Sequence, residues 1–261
     1  MSLFFVISLL ASTIGTICGI GGGIIVRPVL DALSVADVAI VSFLSSCMVL
    51  TMSLYSVLRS TVAKENIIDA RRSTPLAIGA AIGGIAGSML FSFTFSFVGN
   101  QNIIGVIQAS CLGILAICTI VFTVLRKRFP SRNISNTAIC LLIGLSLGIM
   151  SSFLGIGGGP MNMIAFYYFF SMDPKTSAAN SIYVILISQI TNVATVFITN
   201  AVPITEWLPL LAMVLGGISG GMLGRIINKR ISENAVAYLF IGCMFLVVFI
   251  SGFNVFQFSI S

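Results

Sequence analysis

The sequence has no histidine and very little charge. Its 261 residues include only 13 Lys or Arg and 7 Asp or Glu, so charged residues make up 8% of the chain. Without histidine, the chain cannot form a His-ligated metal or haem site, a His-based catalytic triad or a histidine pH switch. The six cysteines lie in apolar runs without a CxxC pair, and we interpret them as buried free thiols. We therefore expect no metal and no other cofactor.

Apolar residues take the place of charge, at 57% of the chain. A soluble domain has about a quarter of its residues charged, so the composition predicts an all-α polytopic integral membrane protein with the lipid bilayer as its surroundings. We expect a multi-pass protein of the cytoplasmic (cell) membrane with about 8 long spans of about 20 residues, and two short or re-entrant segments at residues 24–33 and 161–171. The long apolar runs are residues 3–18, 36–58, 74–98, 102–125, 137–154, 177–198, 208–224 and 235–256.

Two glycine-rich stretches interrupt this apolar sequence. Residues 19–23 and residues 155–159 both read GIGGG, and a proline follows each, Pro28 in the first case and Pro160 in the second. Glycine in a helix interior costs about 1 kcal/mol relative to alanine, so we predict that each stretch breaks a helix. Such paired breaks are typical of transporters that are built from repeats with discontinuous helices.

The order of features is the same in both halves, which indicates an internal duplication. Beyond the two GIGGG stretches, Ser42 aligns with Ser181, and residues 83–87 align with residues 216–220. We predict a first transmembrane repeat at residues 1–128 and a second at residues 129–261. The alternative is convergent use of glycine, because small residues are common wherever spanning helices lie close together.

Positive charge is concentrated in three short loops, at residues 59–72, 126–132 and 225–230. The positive-inside rule places all three in the cytoplasm, and we do not interpret them as a nucleic-acid surface. The second and third loops share a side only if residues 137–171 cross the membrane an even number of times, as a re-entrant hairpin or as a long helix plus a short one. If residues 3–35 behave in the same way, each half has an odd number of crossings, and the two halves form inverted repeats.

The breaks are also the best candidates for a binding site. Accessible glycine N–H groups and the positive N-terminus of a following helix favour an anion, although the glycines could instead only permit tight packing of a bent helix. Arg27, the first Arg or Lys in the chain, could pair with such an anion. Its alternatives are snorkelling to the interface or pairing with Asp31.

Polar side chains on the helices after the breaks complete the predicted site. They could hydrogen-bond a substrate oxygen, and inter-helix hydrogen bonding is the alternative. The predicted substrate-binding residues are Gly21, Gly22, Gly23, Arg27, Pro28, Ser42, Gly157, Gly158, Gly159, Pro160, Asn162, Asn180, Ser181, Gln189 and Asn192.

Carboxylates suited to a proton relay are scarce, since only Asp31, Asp37 and Asp173, at the ends of short segments, could serve. The membrane potential is worth about 2.3 kcal/mol per charge at 100 mV, so an uncoupled anion permease would export its substrate. A channel without alternating access ranks second. An intramembrane enzyme ranks last because few catalytic groups are available, and we expect a protein that is not an enzyme. The sequence leaves a homo-oligomer open.

The residues above resemble the TauE/SafE sulfite exporter family over essentially the whole chain. The features that carry the resemblance are the doubled GIGGG with its prolines, the two-half organisation and the sequence AANS at residues 178–181. The resemblance implies transport of sulfite, organosulfonates or other small organic anions across the cytoplasmic membrane. The first copy differs from the second, because Pro28 stands five residues after Gly23 while Pro160 directly follows Gly159.

Overall fold

The computed structural model describes residues 2–33, 38–65, 67–98, 101–125, 132–154, 158–199, 202 and 207–260. These residues form ten helices, five in each predicted repeat. In each repeat, a broken pair of helices is followed by three long ones. The helices are α1 (Ser2–Cys18), α2 (Gly23–Ala32), α3 (Val38–Val62), α4 (Ala70–Val98), α5 (Gln101–Leu125), α6 (Thr137–Leu154), α7 (Gly159–Phe170), α8 (Pro174–Ile198), α9 (Trp207–Arg230) and α10 (Glu233–Ile260).

The helix lengths agree with a polytopic membrane protein. Within the described residues, seven helices are long and apolar enough to cross a bilayer, and α1, at 17 residues, falls just short of that length. The short segments are α2, with 10 residues, and α7, with 12. Large apolar side chains such as Leu10, Ile114 and Phe249 are exposed on the outer surface, where a bilayer would cover them. The predicted all-α polytopic fold is confirmed.

Local signals explain why α7 and α8 are separate helices. Ser171 ends α7 in the left-handed conformation, with φ at 58°. Asp173 then begins α8, because its Oδ1 accepts a hydrogen bond from the backbone N of Thr176 over 2.9 Å. Pro174 occupies the first turn of α8, where its missing N–H costs nothing.

Glycines let α4 and α6 approach each other closely. Gly79, Gly83 and Gly87 face the α6 backbone, and a methyl group at any of them would overlap it. Gly144 and Gly148 of α6 lie against the α4 backbone in the same way. Contacts this close are usual where small residues line spanning helices.

The equivalent contact joins α9 of the second half to α1 of the first half. Gly216, Gly220 and Gly224 lie against successive turns of α1, the last two beside the backbone oxygens of Leu9 and Thr13. Chain numbers rise together in both contacts, so α9 runs parallel to α1 and α4 runs parallel to α6. Exchanging the halves therefore reproduces the contact.

The register of these duplicated glycines differs from the sequence alignment by one helical turn. Gly79 contacts the backbone of Leu141, and Gly216 contacts the backbone of Phe5. Leu141 and Phe5 are separated by 136 residues, the same offset as the two GIGGG stretches. In the structure, Gly79 therefore corresponds to Gly216. The predicted match of residues 83–87 with residues 216–220 is wrong by four residues. Glycines recur every four residues in α9, so a shift of one turn superposes them equally well.

Corresponding long helices of the two halves run in opposite directions. Phe43 of α3 stacks edge-on against Phe197 of α8 with ring centroids 6.2 Å apart, and further along α3 Ser46 accepts a 3.2 Å hydrogen bond from Asn192. Numbers rise along α3 while they fall along α8. The α5 and α10 helices are also antiparallel, because Gly105 lies beside Phe258 and Gly113 beside Ser251.

The basic loops gather at one end of the molecule. Glu65, in the first loop, accepts hydrogen bonds from Arg225 and Lys229 in the third. Arg72, also in the first loop, donates to Asn133 Oδ1 over 2.8 Å and so brings in the connection before α6. The first and third basic loops therefore lie at one end of the molecule, close to Asn133, whereas residues 126–131 of the second lie outside the described residues and the prediction for that loop stays a prediction.

The α6–α7 unit returns to the end where it starts. Just before α6, the backbone N–H groups of Arg132 and Ile134 donate to the carbonyl oxygens of Tyr168 and Phe169, at the end of α7, over 2.8 and 2.9 Å. At 12 residues, α7 is about 18 Å long, too short to span a bilayer alone. The return of the chain agrees with a hairpin, which is one of the two arrangements that the loop charges allow, and the number of crossings stays a prediction.

Candidate functional site

The first break is a tight turn that needs glycine. Gly19 and Gly21 have φ values of 70° and 67°, a left-handed region in which a side chain is strained. The Ile20 N–H closes the end of α1 by donating to Gly15 O over 3.0 Å. Gly22 and Gly23 then open α2, whose N-cap makes no side-chain hydrogen bond.

The second break is described from residue 158 onward. Gly158, with φ at 77°, is the N-cap of α7, and again no side chain caps this helix. Gly159 and Pro160 form the first turn, and Asn162 follows it as a buried residue beside Gly158. Gly157, a predicted site residue, lies outside the described residues. The uncapped starts of α2 and α7 both present backbone N–H groups.

The two breaks meet inside the protein. Gly159 lies directly on the backbone of Ile20, and a methyl group there would overlap the Ile20 carbonyl. Ser181 Oγ is within hydrogen-bond distance of two carbonyl oxygens, Gly19 O at 2.5 Å and Gly159 O at 3.5 Å. The two breaks are thus in direct contact, whereas anion binding there stays a prediction.

Arg27 connects the first half to the second break. Its Nη1 donates to the carbonyl of Leu154, the last residue of α6, over 3.1 Å, and its Nη2 donates to Gln108 Oε1 over 3.1 Å. Gln108 in turn donates to Phe153 O over 2.8 Å. The guanidinium therefore stabilises the negative C-terminal end of α6 immediately before the second glycine stretch.

Burial decides between the alternatives for Arg27. The residue is only 8% exposed, so it does not snorkel to an interface. The Nε of Arg27 lies 3.9 Å from Asp31 Oδ2, which makes a loose ion pair without a hydrogen bond. The pairing with Asp31 is therefore present, and the positive charge remains inside the protein.

Asn180 has the inter-helix role that was left open for it. Its Oδ1 accepts from Asp69 N at 2.8 Å and Ser73 Oγ at 2.6 Å, and its Nδ2 donates to Ile67 O and Thr176 O. All four positions of the amide are occupied. Asn180 thereby ties α8 to the loop between α3 and α4.

Three further predicted residues, Ser42, Gln189 and Asn192, lie on the crossing helices α3 and α8. Asn192 donates to Ser46 Oγ over 3.2 Å, and Ser42 O accepts from the same Ser46 hydroxyl over 2.9 Å. Gln189 is one turn from Asn192 and 6% exposed, and its Oε1 has no hydrogen-bond partner among the described residues. A buried acceptor without a donor is costly, but an oxyanion brings no donor, so Gln189 remains a candidate substrate contact on α8 only through the N–H groups of its Nε2.

Sequence analysis missed the polar residues of α5 and α10. Gln108 holds Arg27, and Asn254 donates to Pro28 O over 3.4 Å. Ser251 lies one turn before Asn254, and both residues are at most 5% exposed. These residues stand in long apolar runs, where a polar residue already indicates a buried partner. That signal applies to α5 and α10 as much as to the helices that follow the breaks.

A membrane-embedded helical protein in which two broken helices meet around a buried arginine belongs to the class of membrane transporters. The family model described as "Sulfite exporter TauE/SafE" matches residues 4–250. This chain therefore belongs to the sulfite exporter TauE/SafE family and is a multi-pass protein of the cell membrane.

One relative has a similar length and a matching class. The "Probable membrane transporter protein YunE" of Bacillus subtilis (strain 168) is 25% identical over 262 residues, which cover 91% of this chain and 92% of the relative. The two chains thus correspond over most of their lengths. The printed name of that protein states membrane transport and no substrate.

Proposed function

We propose that the protein exports small sulfur-containing anions such as sulfite or organosulfonates. The observation that carries this proposal is the position of Arg27, buried at the end of α6 directly before the second glycine stretch. A fixed positive charge in a low-dielectric site strongly attracts a small oxyanion. The alternative is a channel-like protein or a secondary carrier for other small organic anions.

The breaks supply the second part of the proposed site. Helices α2 and α7 begin there without side-chain caps, and their N-terminal N–H groups carry partial positive charge. An anion held between Arg27 and the start of α7 would accept hydrogen bonds from both a guanidinium and backbone amides. Such donors match the oxygens of a sulfite or sulfonate group, and Asn162 and Ser181 would line the same space.

An inverted repeat would give this site access to both sides in turn. The antiparallel arrangement of α3 with α8 and of α5 with α10 supports such a repeat. The α6–α7 hairpin also supports such a repeat, because a half that contains this hairpin and three long helices crosses the membrane an odd number of times. In this scheme one half rocks against the other about the central breaks.

The direction of transport follows from charge. The positive-inside rule supports a cytoplasmic location for the end of the molecule that carries the basic loops. A negative cytoplasm drives an anion outward by about 2.3 kcal/mol per charge at 100 mV. Because the potential alone suffices for export, no coupling ion is required for net efflux.

The test is transport of labelled sulfite, methanesulfonate and acetate by purified protein in liposomes at clamped voltages. We expect saturable, voltage-dependent movement of the two sulfur anions and slower movement of acetate. Flux that rises linearly with concentration would favour the channel. If no anion moves faster than in empty liposomes and none raises the melting temperature, the anion proposal is wrong.

A further inference from the structure

Helices α2 and α10 are in contact, and each carries buried side-chain oxygen atoms whose hydrogen-bonding capacity is unused within the described residues. Asp31 Oδ1, Asn254 Oδ1 and Ser251 Oγ are buried and have no hydrogen-bond partner among the described residues. Asn254 and Ser251 are 5% and 2% exposed. Native proteins rarely leave such acceptors unpaired, so this cluster lacks a hydrogen donor.

The cluster is connected to α2 at the level of Asp31. Asn254 Nδ2 donates to Pro28 O over 3.4 Å, and Pro28 and Asp31 share one face of α2 because they are three residues apart. Ser251 lies on the same face of α10 as Asn254 for the same reason. Asp31 and Asn254 therefore belong to the same contact between α2 and α10.

Arg27 is the only charged neighbour of Asp31 among the described residues of the helices around it. The other charges of α3 and α10, Arg59 and Glu233, lie at the opposite ends of those helices. Helix α5 and the described part of the α6 end contribute no charge. The other titratable groups on the surrounding helices are thiols and phenols, namely Cys18, Cys47, Tyr55, Cys111, Cys118, Cys140, Tyr238 and Cys243.

We propose that Asp31 is a proton-binding site that is coupled to anion occupancy of Arg27, an inference that rests on the proposed function. An anion that binds Arg27 takes over the charge that now faces Asp31 at 3.9 Å. The Asp31 carboxylate is then a buried charge without a counter-ion, which is strongly unfavourable. It takes a proton from a hydronium ion of the aqueous phase, which leaves water and a neutral carboxyl group.

The protonated carboxyl supplies the missing donor. Its new O–H can donate to Asn254 Oδ1, so one proton satisfies two orphaned oxygens. Because coupling between two ligands is reciprocal, anion binding promotes proton uptake, and low pH strengthens anion binding.

The experiment measures methanesulfonate binding to the purified full chain by calorimetry, because a sulfonate does not titrate in the range used. We expect affinity to rise on acidification from about pH 8 to 5, by up to about tenfold per pH unit. Buffers of different ionisation enthalpy should report uptake of up to one proton per anion. Asp31→Asn should bind tightly with neither pH dependence nor proton uptake, while the loop control Asp69→Asn should behave as the unmodified chain does.

Each other outcome has a distinct meaning. Binding that is independent of pH and takes up no proton overturns the coupling and leaves the proposed function intact. The unmodified chain alone can give this result, so the test does not depend on whether Asp31→Asn folds. Proton uptake that persists in Asp31→Asn moves the proton to another group and overturns the assignment. Replacing sodium with choline tests whether anion affinity depends on sodium and not on acid. If it does, the unpaired oxygens of Asp31 and Asn254 bind an alkali cation, and the proton assignment is wrong. Absence of binding at every pH removes the proposed function and the coupling together.

Discussion

Arg27 and Leu154, 127 residues apart in the chain, are joined by a 3.1 Å hydrogen bond from a guanidinium to a helix-terminal carbonyl. The bond places the first positive charge of the first repeat at the broken helix of the second repeat. An isolated buried guanidinium would be prohibitively costly. The α6 terminus, Gln108 and Asp31 hold it in place without removing its charge.

Arg27→Gln should weaken anion binding far more than it weakens folding. Loss of a charge-assisted hydrogen bond costs about 1.5–3 kcal/mol, so we expect affinity to fall by about tenfold to a hundredfold, measured as the half-saturating methanesulfonate concentration in liposome transport. Arg27→Lys should recover part of the affinity, because lysine keeps the charge but not the fork of donors.

The control for this variant is Arg59→Gln, at the exposed end of α3. It removes the same charge far from the breaks and should leave affinity unchanged. Equal affinity in Arg27→Gln and the unmodified chain, with normal melting temperatures in both, would exclude Arg27 from the site.

Gly159→Ala should separate the two breaks. The added methyl group would overlap the Ile20 carbonyl, which belongs to a backbone turn and cannot move aside easily. Overpacking of this kind typically costs about 1–3 kcal/mol. We expect a lower melting temperature in detergent and a loss of transport that added substrate does not restore.

Gly242→Ala provides the matched comparison. Gly242 lies in α10, and a methyl group there meets nothing within 4 Å. Its effect should stay within about 1 kcal/mol and could be stabilising, since alanine favours helix. Similar losses in both variants would mean that glycine is needed for a general reason and not for the contact between the breaks.

The loop charges predicted which ends of the helices lie together, because the positive-inside rule applies to every loop of the chain at once. Three basic loops must share one side, and this requirement alone predicted the return of α6–α7 that the Arg132 and Ile134 hydrogen bonds make visible. The helix breaks were equally predictable, because left-handed positions such as Gly19 and Gly158 demand glycine.

Contacts between distant helices could not be predicted in this way. Gln108, Ser251 and Asn254 acquire their meaning only from the helices that face them, and apolar sequence around them does not identify a partner. Asn180 and Gln189 both looked like substrate contacts, since each is a polar residue in an apolar helix. Only the structure distinguishes a fully bonded amide from one with an orphaned oxygen.

Asn180 and Gln189 should therefore respond differently to replacement. Asn180→Ala removes four hydrogen bonds, three of which tie α8 to the α3–α4 loop and the first turn of α4, and we expect a loss of stability of about 2–3 kcal/mol or more with little change in the half-saturating substrate concentration. Gln189→Leu removes a buried acceptor that has no partner among the described residues, so stability should be unchanged or improved, while loss of the Nε2 donor should lower affinity for the anion. The reverse pattern in melting temperature and transport kinetics would contradict both assignments.

Glu65 should make stability depend on pH at the cytoplasmic end. The pKa of Glu65 is lowered: burial, the largest single influence, raises it, but hydrogen bonds and charge from Lys229 and Arg225 together outweigh burial. A carboxyl group whose pKa is lower in the folded state stabilises the protein above its ordinary value and loses that contribution as the pH falls. The melting temperature should therefore drop as the pH falls below about 4.5 and further through the lowered pKa. Glu65→Gln should start from a lower melting temperature at neutral pH and lack this part of the acid dependence, whereas an identical acid profile in both proteins would show that the ion pairs between the first and third basic loops contribute nothing.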